Sequence, residues 1–270
     1  MSILSQSRIF LMAVALACCV LAGVTLGDSK PLKPATIVPS DANFKDHTPW
    51  NIMCAERVGA VIGKQVDVMF IGDSITQNFA EDRDGNWELC DGITVPHLPG
   101  RSGFDLTGLA VWRKHYAGRH VLDFGVGADG TEHVLWRLDN LQVDGLKPKV
   151  LVVLVGTNDT AHSTSEEIAL GVRAVLDKSL AKFPGAKVIV ISILPNARAL
   201  EKCIAANQLI RKFADDKNVF YFDLASMMTP EANGWNGIGH DRLHLTQQGY
   251  EMWATEMEPL LSRLLKASTN

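Results

Sequence analysis

The sequence predicts an α/β sandwich, a parallel sheet with helices on both faces. Short apolar, β-branched runs recur along the chain, and each ends in a turn residue. Segments with apolar residues at helical spacing separate most of them. No internal repeat or low-complexity tract points to another architecture.

The first run, residues 66–71, ends at Gly72, and the second, residues 120–124, ends at Gly125. Residues 150–155 stop at Gly156, residues 187–194 at Pro195, and residues 219–222 at Asp223. Runs this short and this rich in Val and Ile suit strands buried on both faces of a parallel sheet. Residues 132–141 read as a helix, with Val134, Leu135, Leu138 and Leu141 on one side. His133, Trp136, Arg137 and Asn140 fall on the other. A second helix is expected over 165–182, opening at Ser165, with Ala169, Val172, Val175, Leu176 and Leu180 as its apolar stripe. A third covers roughly residues 200–216. The last begins near Thr246 and runs through Tyr250, Trp253, Met257 and Leu260 to Leu265. Residues 80–109 break the rhythm with Gly85, Gly92, Gly100, Gly103, Gly108, Pro96 and Pro99. They read as a long irregular insert, at about 80–110, that shapes a cleft.

The N-terminus differs in kind. Arg8 precedes an almost wholly apolar stretch, residues 9–26, and small residues then lead to Asp28. This pattern reads as a signal peptide over residues 1–27, so the mature chain is expected to be secreted or periplasmic, without stable membrane insertion. A membrane anchor, or a lipoprotein modified at Cys18 or Cys19, is the alternative. Residues 28–60 read as a lead-in and residues 61–270 as one catalytic-sized domain. Cleavage leaves Cys54, Cys90 and Cys203, enough for one disulfide at most. Cys54 with Cys90 is one candidate pair, which spacing does not establish. The chain has no C-x-x-C pair, and no metal or cofactor is expected. With a net charge of −4, no basic surface is implied and nucleic acid is not expected as a partner.

Ligands of open α/β sheets bind beyond the carboxyl ends of the strands. Ser74 stands there, in Gly72-Asp73-Ser74, as a candidate nucleophile. A serine hydroxyl needs a base, and the candidate is His244, with Asp241 placed on the same turn to orient its ring. Asn158 and backbone N–H groups near Ser74 and Ala128 are candidate donors to an oxyanion. Each element alone has a plainer reading: an ordinary helix cap for Ser74, a surface pair for Asp241 and His244, a turn residue for Asn158.

Taken in order, the blocks 72–74, 123–129, 156–159 and 241–244 resemble the four signature blocks of the SGNH/GDSL hydrolase family. Within it, residues 125–138 and 147–158 are similar to the alpha-type catalytic subunits of platelet-activating-factor acetylhydrolase. The resemblance implies a flavodoxin-like three-layer α/β/α fold with a parallel sheet of about five strands. It also implies metal-free ester hydrolysis, with Ser74 as nucleophile, His244 as base and Asp241 as its orienter. Ser74, Ala128 and Asn158 would form the oxyanion hole. The family usually has Gly where this chain has Ala128, so a positive φ there would strain the backbone.

The expected function is therefore an exported serine esterase that removes short acyl groups, chiefly acetyl, from a small-molecule or glycan ester such as an acetylated carbohydrate. Phospholipid-type acetyl esters are the alternative substrate, and a non-catalytic glycan-binding module on the same fold is the alternative of another class. Two look-alikes are set aside. Residues 125–130 spell the G-x-G-x-x-G dinucleotide fingerprint, but no acidic residue follows at the end of a next strand. Residues 240–244 mimic a zincin motif with Asp in place of its Glu. Trp87, Trp112 and Trp235 are equally compatible with a cleft and with a core.

Overall fold

The computed structural model describes residues 34–40, 50–90, 92–95, 106–143 and 145–268. The expected signal peptide, and the part of the insert from 96 to 105, lie outside these residues. In chain order the main elements are α1 (Trp50–Val61), β1 (Val68–Gly72), α2 (Ser74–Gln77), β2 (Trp87–Cys90), β3 (Ile93–Val95) and α3 (Leu109–Tyr116). Then follow β4 (Val121–Gly125), α4 (Thr131–Asn140), β5 (Val150–Leu154), α5 (Ser165–Lys182), β6 (Lys187–Ile191), α6 (Leu200–Ile210), β7 (Val219–Phe222) and α7 (Gln247–Ala267).

Five strands form one parallel sheet in the order β4-β1-β5-β6-β7. Side chains alternate across it, as strand geometry requires. Met69, Ile71, Leu151 and Val153 point to a face covered by α1, α4, α5 and α6. Val68, Phe70, Val152 and Leu154 point to the other, covered by α3 and α7. On that second face Phe70 packs edge-on against Trp112 at 5.3 Å and tilted against Trp253 at 5.8 Å. Both faces are apolar, which is why the strands read as unbroken hydrophobic runs. The three-layer sandwich is thus the architecture that the sequence predicts.

The strand order fixes where a site can lie. From β1 the chain crosses to β4 on one side and then to β5 on the other. A crevice opens where the order reverses, at the carboxyl ends of those strands. The register sets Gly72 level with Gly125 on one side and Leu154 on the other.

Several expectations need correction. Residues 50–60, read as part of a lead-in, belong to α1, which buries Trp50, Cys54, Val58 and Val61. The insert contains a β2–β3 hairpin that buries Trp87, Leu89 and Cys90. Trp87 and Trp112 are therefore core residues, while Trp235 is half-buried and helps to line a cavity of about 670 Å³. Helix α6 stops at Ile210 and tightens into a 3-10 turn, Arg211–Phe213, short of residue 216. Helix α5 does open at Ser165, capped by Thr164 in a reciprocal box with Glu167. Arg137, which falls opposite the apolar stripe of its helix, is also fully buried. Cys54, Cys90 and Cys203 are buried free thiols, so Cys54 and Cys90 are not bridged. Among the described residues, no helix is long and apolar enough to cross a membrane.

Two local features have measurable consequences. Ala128, in the turn after β4, is exposed and has φ +64°, a left-handed conformation that a Cβ disfavours. Since the Ala128 side chain buries nothing, Ala128→Gly relieves strain against only the added chain entropy of glycine. The expected gain is about 0.5–1 kcal/mol, read as a higher midpoint in urea; an unchanged or lower midpoint would contradict it.

Asp123 on β4 is buried; one oxygen accepts the Gly125 N–H at 2.7 Å and the other has no partner among the described residues. Burial pushes its carboxyl up to about 8, against the pull of that N–H and of the nearby Arg57 charge. The fold thus prefers the protonated form. Its contribution is full below the ordinary carboxylate range near 4 and is lost as pH rises through about 8. Asp123→Asn keeps the acceptor and cannot ionise, so Tm of the variant should fall less than that of the wild type between pH 7 and pH 9. Parallel Tm-against-pH curves would refute the assignment.

Candidate active site

Strand β1 ends at Gly72, and Asp73 caps the next helix by accepting the Ile75 N–H at 2.9 Å. Ser74 is therefore the first residue of α2, and its backbone N–H lies in the first turn, where no intrahelical acceptor exists. Helix α2 is laid tightly over the strand ends. A Cβ at Gly72 would meet Thr76 Oγ1 at 2.1 Å, and one at Gly125 would meet the Gln77 nitrogen at 2.3 Å. The helix is also held from α7, where the Tyr250 hydroxyl donates to the Ile75 carbonyl at 2.8 Å.

His244 lies on the loop before α7, and its Nε2 is 2.8 Å from Ser74 Oγ. Its Nδ1 is 2.6 Å from Asp241 Oδ2. The other Asp241 oxygen accepts the backbone N–H groups of Leu243 and His244, each at 3.0 Å. Partial burial raises the Asp241 carboxyl, but the bonds from the His244 ring and those two N–H groups outweigh it and hold it below the ordinary value. An ionised carboxylate only accepts, so the ring proton sits on Nδ1 and Nε2 is left to accept from Ser74. The loop is pinned at both ends of this stretch. Gly239 N–H donates to the His244 carbonyl at 2.8 Å, and Thr246 caps α7. His244 is 6% exposed, dry enough to strengthen these bonds while leaving the ring edge reachable.

The turn after β4 shows which backbone donors remain. Val126 N–H goes to the Gly72 carbonyl, Gly127 N–H to Gln77 Oε1, Asp129 N–H to the Val126 carbonyl and Gly130 N–H to His133 Nδ1. Ala128 N–H is the one amide of this stretch without a partner among the described residues. The left-handed turn at Ala128 is what exposes it. Asn158 begins a 3-10 turn beyond β5 and donates one amide hydrogen to the Asp129 carbonyl at 3.0 Å. Its second amide hydrogen is available to another acceptor. Sequence reasoning missed Gln77, which spans Gly127 N–H and Glu81 Oε2 and so ties the turn to α2. Its offset of three residues from Ser74, nearly one helical turn, is the only signal that marks it.

The commitment of these amides also removes the dinucleotide reading of residues 125–130, which needs them free for a pyrophosphate. Elsewhere, Glu132, Asp159 and His162 bring potential ligand atoms within 4.8 Å of one another. The Asp159 oxygens are already engaged by the Thr131 hydroxyl and N–H.

Comparison with known proteins identifies the family. The profile of the GDSL-like lipase/acylhydrolase family matches residues 70–252. Platelet-activating factor acetylhydrolase IB subunit alpha1 of Homo sapiens is 31% identical over 210 residues, covering 75% of this chain and 78% of the relative. Among solved structures, a carbohydrate esterase family 3 protein from Talaromyces cellulolyticus has a TM-score of 0.53 at 19% identity, covering 75% of this chain and 99% of that one. A carbohydrate acetylesterase from Sinorhizobium meliloti has a TM-score of 0.50 at 19% identity, covering 74% and 100% respectively. The two structures share the fold, and the sequence relative and the family profile carry the assignment. The chain belongs to the GDSL-like lipase/acylhydrolase family and is a carboxylic ester hydrolase.

Proposed function

We propose that the protein hydrolyses short-chain esters, chiefly acetyl esters, with Ser74 as nucleophile. The observation that carries this reading is the relay from Asp241 through His244 to Ser74, with contacts of 2.6 and 2.8 Å. His244 Nε2 takes the hydroxyl proton as Ser74 Oγ adds to the acyl carbonyl. Asp241 holds the ring and stabilises the imidazolium that results. The negative oxygen of the tetrahedral intermediate accepts from the N–H groups of Ser74 and Ala128 and from the Asn158 side chain. Collapse sends the proton from His244 to the departing alcohol oxygen and leaves acyl-Ser74. Water then adds to the acyl carbon and gives its proton to His244, which returns that proton to Ser74 Oγ as the intermediate collapses to the carboxylic acid and free Ser74.

Acetyl as the acyl group rests on the acetylhydrolase relative, and a carbohydrate or other small-molecule alcohol is the proposed leaving group. The same relative favours a second reading, in which the alcohol belongs to a phospholipid-type ester. The proposal also places the enzyme outside the cytoplasm, secreted or periplasmic, because residues 9–26 form an apolar run between Arg8 and Asp28. A glycan-binding module without turnover would have no use for a base aimed at Ser74.

A fluorophosphonate probe should label the wild type stoichiometrically and leave Ser74→Ala unlabelled and inactive. A wild type that stays unlabelled would leave only the binding module. Asn158→Ala should lower kcat by about 10²–10³; a change smaller than about threefold would remove Asn158 from the donor set. Nitrophenyl acetate should be cleaved faster than long-chain nitrophenyl esters, and the reverse order would overturn the short-acyl assignment. Acetylated sugars set against acetylated phospholipids in the same assay decide between the two alcohols.

A further inference from the structure

Behind the strand ends that carry Ser74, Ala128 and Asn158 lies one fully buried guanidinium, that of Arg137 on α4. Its Nη2 donates to the Gly72 carbonyl at 3.1 Å, its Nη1 to the Phe124 carbonyl at 2.7 Å and its Nε to Asp129 Oδ2 at 2.8 Å. The first acceptor is the end of β1, two residues before Ser74, and the second lies in β4. The third belongs to the residue after Ala128, whose own carbonyl receives the Asn158 amide. A fourth element joins through the other Asp129 oxygen, which accepts Trp50 Nε1 of α1 at 2.9 Å. The planar fork of an Arg fixes all its acceptors in one geometry, which a Lys ammonium does not.

We infer that Arg137 is a positioning residue for the oxyanion donors, acting through Asp129 on Asn158 and Ala128 and through the Gly72 carbonyl on Ser74, with Trp50 as the outer anchor of Asp129. This rests on the proposed oxyanion role of Asn158 and Ala128. Donors must be held within about 0.5 Å of the place where charge develops, and misplacement by about 1 Å costs up to 10²-fold. A buried charge is a costly way to stabilise a core that apolar residues could fill. Arg137 is spent on three points that flank the donors rather than on the distant parts of the sheet. Helix α1 belongs to the same device, since Arg57, stacked 3.2 Å over the Trp87 ring, donates to the Gly125 carbonyl at the end of β4.

The experiment compares Arg137→Lys and Trp50→Phe, alone and combined with Asn158→Ala, on nitrophenyl acetate. Trp50→Phe keeps an aromatic ring beside Trp136, whose centroid is 5.2 Å away, and removes only the donor to Asp129, so it guards against an unfolded Arg137 variant. Arg137→Lys should lower kcat by about tenfold or more and Trp50→Phe by a few-fold, both with KM nearly unchanged. Each effect should shrink in the Asn158→Ala background, because residues acting through one another are non-additive. A purely structural role would lower Tm, leave kcat per folded molecule at the wild-type value, and add fully to Asn158→Ala; that outcome overturns the inference. Asn158→Ala at wild-type kcat would instead refute the oxyanion reading, and this inference would fall with it.

Discussion

Helix α2 begins two residues beyond the end of β1 and lies against β1 and β4 with no room for a Cβ at Gly72 or Gly125. That close approach is the constraint on which the site depends. A Cβ at Gly72 would also meet the Leu154 carbonyl at 2.4 Å, so the pressure comes from the neighbouring strand as well as from the helix. Any larger residue at either position would lift α2 from the sheet, and Ser74 with it. The same contact puts the first N–H groups of α2 at the crevice where the strand order reverses. Position in the sheet, rather than any property of the serine, makes this hydroxyl the candidate nucleophile.

The strain at Ala128 and the burial around it belong together. The turn must reverse sharply to direct one amide outward while its other amides are satisfied by Gly72, Gln77, Val126 and His133. Such a turn asks for a left-handed residue, and the chain accepts a non-glycine one. Asp129, next in the sequence, then goes inward to Arg137 and Trp50. One residue faces the crevice and its neighbour anchors the turn to the core.

Much of this was legible in the residues, for identifiable reasons. The five strands stand out because both faces of the sheet are covered, which turns each into an unbroken apolar run. Ser74, Asn158 and the loop of Asp241 and His244 follow from those strand ends. The structure brings them together through a contact between residues 170 positions apart, which no local pattern encodes. Helix α1 was missed although Trp50, Cys54, Val58 and Val61 repeat at spacings of four, four and three, because the proline-rich residues before it suggested a lead-in. The hairpin was hidden by the glycines around it. Arg137 falls opposite the apolar stripe of its helix, and an arginine in a sequence carries no mark of burial. Only three acceptors contributed by separate elements explain it.

The Tyr250–Ile75 bond, which closes a span of 175 residues, has a consequence for how activity arises during synthesis. The base and its orienter are neighbours on one turn and need little help to meet. Their meeting with the nucleophile waits for the last helix to dock on the first βα unit of the sheet, a contact of very long sequence separation. On the proposed mechanism, a growing chain lacks the contact between Ser74 and His244 until its final helix is made and packed. The same mechanism ties hydrolytic competence to completion of the fold rather than to any partly built form.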